Sequence, residues 1–142
     1  MATVELTFSA LPAHVRTARL VAAAVARRTG VPEAILDEVR LAVGEACLRA
    51  VEAHRLRCPA EPVVMRLRDD DGRFEVTVID AASRDGVSPP AAEANGSPLP
   101  EMGDLGLAVI AGLADDVEVV PRPEGMSIRM SWPVSPGEPT AA

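Results

Sequence analysis

The chain has 142 residues, no lysine, no tyrosine, two cysteines and a net charge of −7, with 48% hydrophobic but only 2% aromatic residues. That length suits one domain with a core of Ala, Val, Leu, Ile and Met. The acid balance argues against a nucleic-acid binder, which needs a basic face. The absence of lysine rules out both a P-loop and the strand lysine of a eukaryotic-type protein kinase. An arginine-only basic set reads as a GC-rich, actinobacterial composition.

In chain order, Val4, Leu6 and Phe8 alternate with Glu5 and Thr7, the pattern of a half-buried strand. No apolar run approaches ~18 residues, so no membrane span is expected. The first residues lack the basic start of a signal peptide, so none is expected, and the acidic net charge suits a cytoplasmic protein. Ser9 is the expected N-cap of a helix with Pro12 in its first turn. That helix runs to Gly30, with Leu11, Val15, Ala18, Ala22 and Val25 along one side and Arg27 and Arg28 at its negative end. A second helix is expected from Pro32 to His54, with Pro32 at its first position. Its apolar face carries Ile35, Val39, Val43, Cys47, Ala50 and Val51. Glu45 and Arg49 stand one turn apart beside that face.

Two strands, residues 63–68 and 74–80, flank the hairpin signal DDDG. Val64 and Leu67 are the expected core contributors of the first, and Phe74, Val76 and Val78 those of the second. The pattern dissolves from 81 to 103, a lid-like stretch rich in Pro, Gly and Ser. A short helix then presents Leu107, Ile110, Ala111 and Ala114 on one face, two closing strands surround PRPEG, and 135–142 reads as an unstructured tail. The order β-α-α-β-β-lid-α-β-β predicts an α+β fold: one domain over 1–134, an antiparallel or mixed sheet covered on one face by helices. Neither the cysteines nor His14 and His54 form a metal spacing. The cysteines suit a reducing compartment.

The run LAVGEACLRAV resembles the N-box helix of the anti-sigma factor and protein-serine kinase family (RsbW/SpoIIAB-like), a branch of the GHKL, or histidine kinase-like, ATPases. The resemblance covers about residues 4–132 and implies a Bergerat-type two-layer sandwich. In that family a Glu of this helix is the general base and an Asn holds Mg²⁺ against the ATP phosphates. Glu45 falls on the Glu; Arg49 falls on the Asn. Asp80 falls on the adenine-reading Asp of the G1 box, D-x-G-x-G, but the sequence continues DAASRDG without the motif glycines. Gly103 and Gly106 fall near the G2 box, with Asp104 where its first Gly belongs. His54 lies one residue past the family's usual His.

Guanidinium has five donors and no acceptor, so Arg49 cannot ligate a cation that wants oxygen. It is left to close on Glu45, to contact phosphate directly, or to point outward. The resemblance implies an anti-sigma factor that sequesters a sigma factor, is countered by a STAS-type anti-anti-sigma protein, and forms a homodimer. Arg49 implies weak or absent binding of ATP or ADP with Mg²⁺, no metal site, and a vestigial role for Glu45. The alternative is an active serine kinase that phosphorylates its antagonist, with Arg49 supplying the charge Mg²⁺ normally brings.

Overall fold

The computed structural model describes residues 3–82 and 102–134, with side chains in the second segment from residue 106 onward. Its hairpins dictate the sheet. Asp71 and Gly72 both take positive φ, 52° and 81°, the two-residue turn whose twist matches right-handed strands. This turn joins β2 (Val63–Asp70) to β3 (Arg73–Asp80). A second hairpin joins β4 (Asp116–Arg122) to β5 (Gly125–Pro133), and β1 (Thr3–Phe8) closes one side. All pairings are antiparallel, in the order β1-β2-β3-β5-β4.

One face of this sheet is apolar. Met65, Val78 and Ile128 stand in one cross-strand row, and Leu67, Val76 and Met130 in the next. Phe74 lies beside Trp132 with ring centroids 6.2 Å apart. All of these are at most 4% exposed. The helices cover that face: α1 (Pro12–Thr29), α2 (Leu36–Arg57) and α3 (Met102–Leu113). α2 packs between the other two and over β3. The expected α+β two-layer architecture is the one observed.

Local expectations fared unevenly. α1 begins at Pro12 as the rhythm of the sequence suggests, but its cap is Leu11, without a side-chain hydrogen bond. Ser9 instead gives its carbonyl to Leu11 N–H and to the His14 ring. Leu11 is half exposed, and the buried stripe ends at Ala26 rather than Val25. Gly30 closes α1 at φ 113°, accepting the left-handed turn that a side chain resists. The second helix does not start at Pro32. Glu33–Ile35 form a separate 3₁₀ turn, and α2 proper runs from Leu36 to Arg57. Val64 faces away from the helices; Val63, Met65 and Leu67 are the buried set. Two adjacent valines left the parity of that strand open, and the pairing with β3 settles it. Ala111, expected on the buried face of the last helix, is exposed, while Ile110 is fully buried. Of the lid-like stretch expected over 81–103, residues 83–101 lie outside the described residues, as does the tail 135–142, while Met102 and Gly103 already belong to α3.

Candidate functional site

The apolar stripe of α2 fixes where its polar side chains go. Val39, Val43, Cys47, Ala50 and Val51 are buried, which leaves Glu45 and Arg49 at the margin, each half-buried. α3 lies directly over that margin. A Cβ added to Gly106 would stand 2.5 Å from Glu45 Oε2 and 3.3 Å from Arg49 Cδ. Any side chain at Gly106 would therefore displace Glu45 or the helix. Glycine lets the α3 backbone rest on the two N-box residues.

Arg49 does not point outward. Its Cδ lies beneath Gly106, and its Nε is buried and makes no hydrogen bond among the described residues, although the side chain as a whole is engaged. Glu45 enters no ion pair among the described residues. On the opposite flank, the aliphatic stem of Arg19 covers Gly44, which allows α1 to approach α2 closely.

About one and a half turns beyond Arg49 the helix carries a group that motif reasoning set aside. His54 is fully buried. Its Nε2 accepts a 2.8 Å hydrogen bond from Ala81 N–H, so Nε2 carries no proton. Nδ1–H therefore donates to the Glu61 carbonyl at 2.8 Å. This neutral imidazole ties the end of α2 to the loop before β2 and to the residue after β3. The signal was present in the sequence: position 54 continues the buried stripe seven residues past Cys47.

Asp80 ends β3 beside this junction and is 8% exposed. Its Oδ1 accepts from Ala82 N–H and from Met126 N–H, both at 3.1 Å. The first bond is an Asx turn; the second fastens β3 to the start of β5. Gly125, at φ 155°, makes room for this arrangement: a Cβ there would overlap the Asp80 carbonyl oxygen and lie 2.8 Å from Asp80 Oδ1. Ala82, which stands where D-x-G places its first glycine, has its methyl fully buried. Glu45 and His54 are nine residues apart on α2, about 14 Å along its axis. The structure thus brings Glu45, Arg49 and Gly106 together at one place. Asp80 sits elsewhere, with the end of α2. Gly103 falls in the first turn of α3, and its surroundings lie outside the described residues, as does the Asp104 side chain.

The donor set can be tested against the family's cofactors. At position 49 the only polar atoms are N–H donors, suited to phosphate oxygens and unsuited to Mg²⁺. Among the described residues no three His, Cys, Asp or Glu side chains gather as a metal site. The metal does not fit these residues, and no step through it follows from them. Asp80 has the chemistry to accept from an exocyclic amine, yet one of its oxygens already serves two backbone donors.

Both thiols are held toward their protonated form. Burial pushes Cys47 up to about 12. Cys58 is also raised, by desolvation first and then by the nearby carboxylates of Glu61 and Asp80.

Comparison with known proteins matches residues 8–132 to the histidine kinase-like ATPase domain. The serine-protein kinase RsbW of Bacillus cereus (strain AH187) is 31% identical over 136 residues, covering 90% of this chain and 82% of that protein. The solved structure of the RsbU and RsbW domains of Rv1364c from Mycobacterium tuberculosis superposes with a TM-score of 0.68 at 17% identity. That likeness covers 94% of this chain and 32% of the other, and it speaks for the fold.

Proposed function

We propose, from the premise that this chain belongs to the RsbW-like branch of the histidine kinase-like ATPase family, that it is an anti-sigma factor acting by binding rather than by phosphoryl transfer. It sequesters a sigma factor and is displaced by a STAS-type anti-anti-sigma protein that competes for the same surface. It acts as a homodimer in the cytoplasm; among the described residues no helix is long and apolar enough to cross a membrane. Its nucleotide site is degenerate.

One observation carries the reading: the position that should offer an amide oxygen to Mg²⁺ holds Arg49, and Arg49 lies with Glu45 under the α3 backbone at Gly106. Phosphoryl transfer depends on cation-borne stabilisation of developing charge and on open room for the transferring group. A guanidinium supplies no metal ligand, and the α3 backbone resting on the Arg49 stem and the Glu45 carboxylate narrows that room. The buried methyl of Ala82 and the engagement of Asp80 Oδ1 with two backbone amides support the same reading at the base-recognition end. Glu45 remains as a carboxylate without the reaction it would serve.

The test is a transfer assay with γ-labelled ATP, Mg²⁺ and the STAS protein encoded by the same host, run beside a pull-down of the sigma factor. The expected result is sigma capture without nucleotide, and no label on the STAS serine. Label that appears with wild type and vanishes with Glu45→Ala would instead establish an active serine kinase.

A further inference from the structure

β4 is an edge strand of the sheet: among the described residues it pairs only with β5. The helix layer leaves it bare. Val119 is 37% exposed where its row-mate Ile128 is 4%, and Val117 is half-buried where Met130 is fully buried. One residue tells which way the backbone groups of β4 point. Pro121 has no N–H, so its pair with Met126 cannot be a hydrogen-bonded one. Bonded and non-bonded pairs alternate along an antiparallel ladder, so Asp116, Glu118, Val120 and Arg122 are the residues that bond to β5. The N–H and C=O groups of Val117 and Val119 therefore point away from the sheet, into the open edge.

The side chains of β4 select what can lie along this edge. Glu118 is already held by Arg129 of β5. Asp116 and Arg122, at opposite ends of the strand, are exposed and make no ion pair among the described residues. Within one chain they stand about 20 Å apart and cannot reach each other. A second β4 laid antiparallel about a twofold axis at Val119 brings Asp116 of each copy opposite Arg122 of the other. In that register Val119 meets Val119, and the two exchange both N–H···O=C bonds across the axis. Val117 faces Pro121 on the helix side of the sheet, and Glu118 faces Val120 on the other. An axis at Glu118 would instead set that carboxylate against its own copy. An axis at Val120 would put Pro121 opposite Val119, where the central bonds lose donors.

We infer that two copies of this chain join through the β4 edge, so that one antiparallel sheet runs through both, with the helices of both on the same face. The inference rests on the homodimer of the proposed function and gives that homodimer its interface. The apolar strip of Val117, Val119 and Pro121 closes against its own copy. The two Asp116–Arg122 pairs fix the register, and Pro121 stops the ladder at either end.

Sedimentation of the full chain over a range of concentrations, joined to cysteine cross-linking, tests this. Arg122→Asp leaves acid opposite acid at both ends of the contact and is expected to weaken self-association about tenfold. Asp116→Arg combined with Arg122→Asp is expected to restore it. Since the two residues cannot meet within one chain, that rescue has to pass between copies. In a Cys58→Ser background, Val119→Cys is expected to form an intermolecular disulfide, its Cα atoms lying about 5.5 Å apart across the axis. Val120→Cys is an equally exposed control, 36% against 37%. Its copy lies about 8 Å away, beyond the reach of a disulfide, and no cross-link is expected. A dimer indifferent to the charge reversal, a double variant without rescue, or cross-linking that is absent at 119 or equal at 119 and 120 would overturn the inference while the homodimer stands. A chain that sediments as a monomer at every concentration would overturn both.

Discussion

Single residues decide more here than motifs do. Arg49 offers a rigid fork of donors where the family resemblance expects an oxygen acceptor. Gly125 is demanded by contact with the backbone of Asp80, whereas a side chain at Gly106 would have to push aside the mobile end of Glu45. The two glycines were unequally legible. Gly106 fell on a recognisable box, whereas Gly125 is explained only by a strand pairing that brings Met126 opposite Asp80. Cys47 illustrates what burial alone does. Its thiol is raised from 9.0 to about 12 by desolvation, so the folded chain keeps its proton where the unfolded chain would lose it. The sign follows from linkage: stability is unaffected below pH 9.0 and falls as pH rises from there toward about 12. Urea titrations from pH 8 upward are expected to show this fall, and to show it reduced in Cys47→Ala after allowing for that variant's own lower baseline. Equal slopes in the two proteins would mean that the thiol does not contribute.

At the scale of elements, periodicity located every α-helix and strand among the described residues, and it failed where two registers fitted equally well. Val63 and Val64 are both apolar, so only pairing with β3 settled which faces the core. Pro32 looked like a helix start, but the chain spends one 3₁₀ turn before Leu36 enters the core. The junction of α2 with β3 was hidden for a different reason: its fastener is polar. His54 occupies an apolar stripe and is satisfied at both ring nitrogens, a role visible only once Ala81 and Glu61 are beside it. Replacing it by phenylalanine keeps the bulk and strands both partners. The expected cost is about 1–3 kcal/mol of stability, read as a lowered denaturation midpoint with an unchanged slope. A variant as stable as wild type would mean that the imidazole only fills space.

For the whole molecule, the sheet, its covering helices and the family were legible in the sequence because they rest on patterns repeated over many residues. The state of the site was not, since it depends on how close α3 comes to α2, a distance no local pattern encodes. What emerges is a histidine kinase-like ATPase fold in which Arg49 stands where the resemblance expects a metal-holding Asn, beside Glu45 and close to the α3 backbone at Gly106. On the reading proposed above, such a molecule acts by binding proteins. Calorimetric titration of ATP with Mg²⁺ into wild type and into Arg49→Asn puts this to the most direct test. The account predicts no magnesium-dependent heat of binding for wild type and a gain of it in the variant that regains the amide oxygen. Tight magnesium-dependent ATP binding by wild type, weakened in Arg49→Asn, would contradict it.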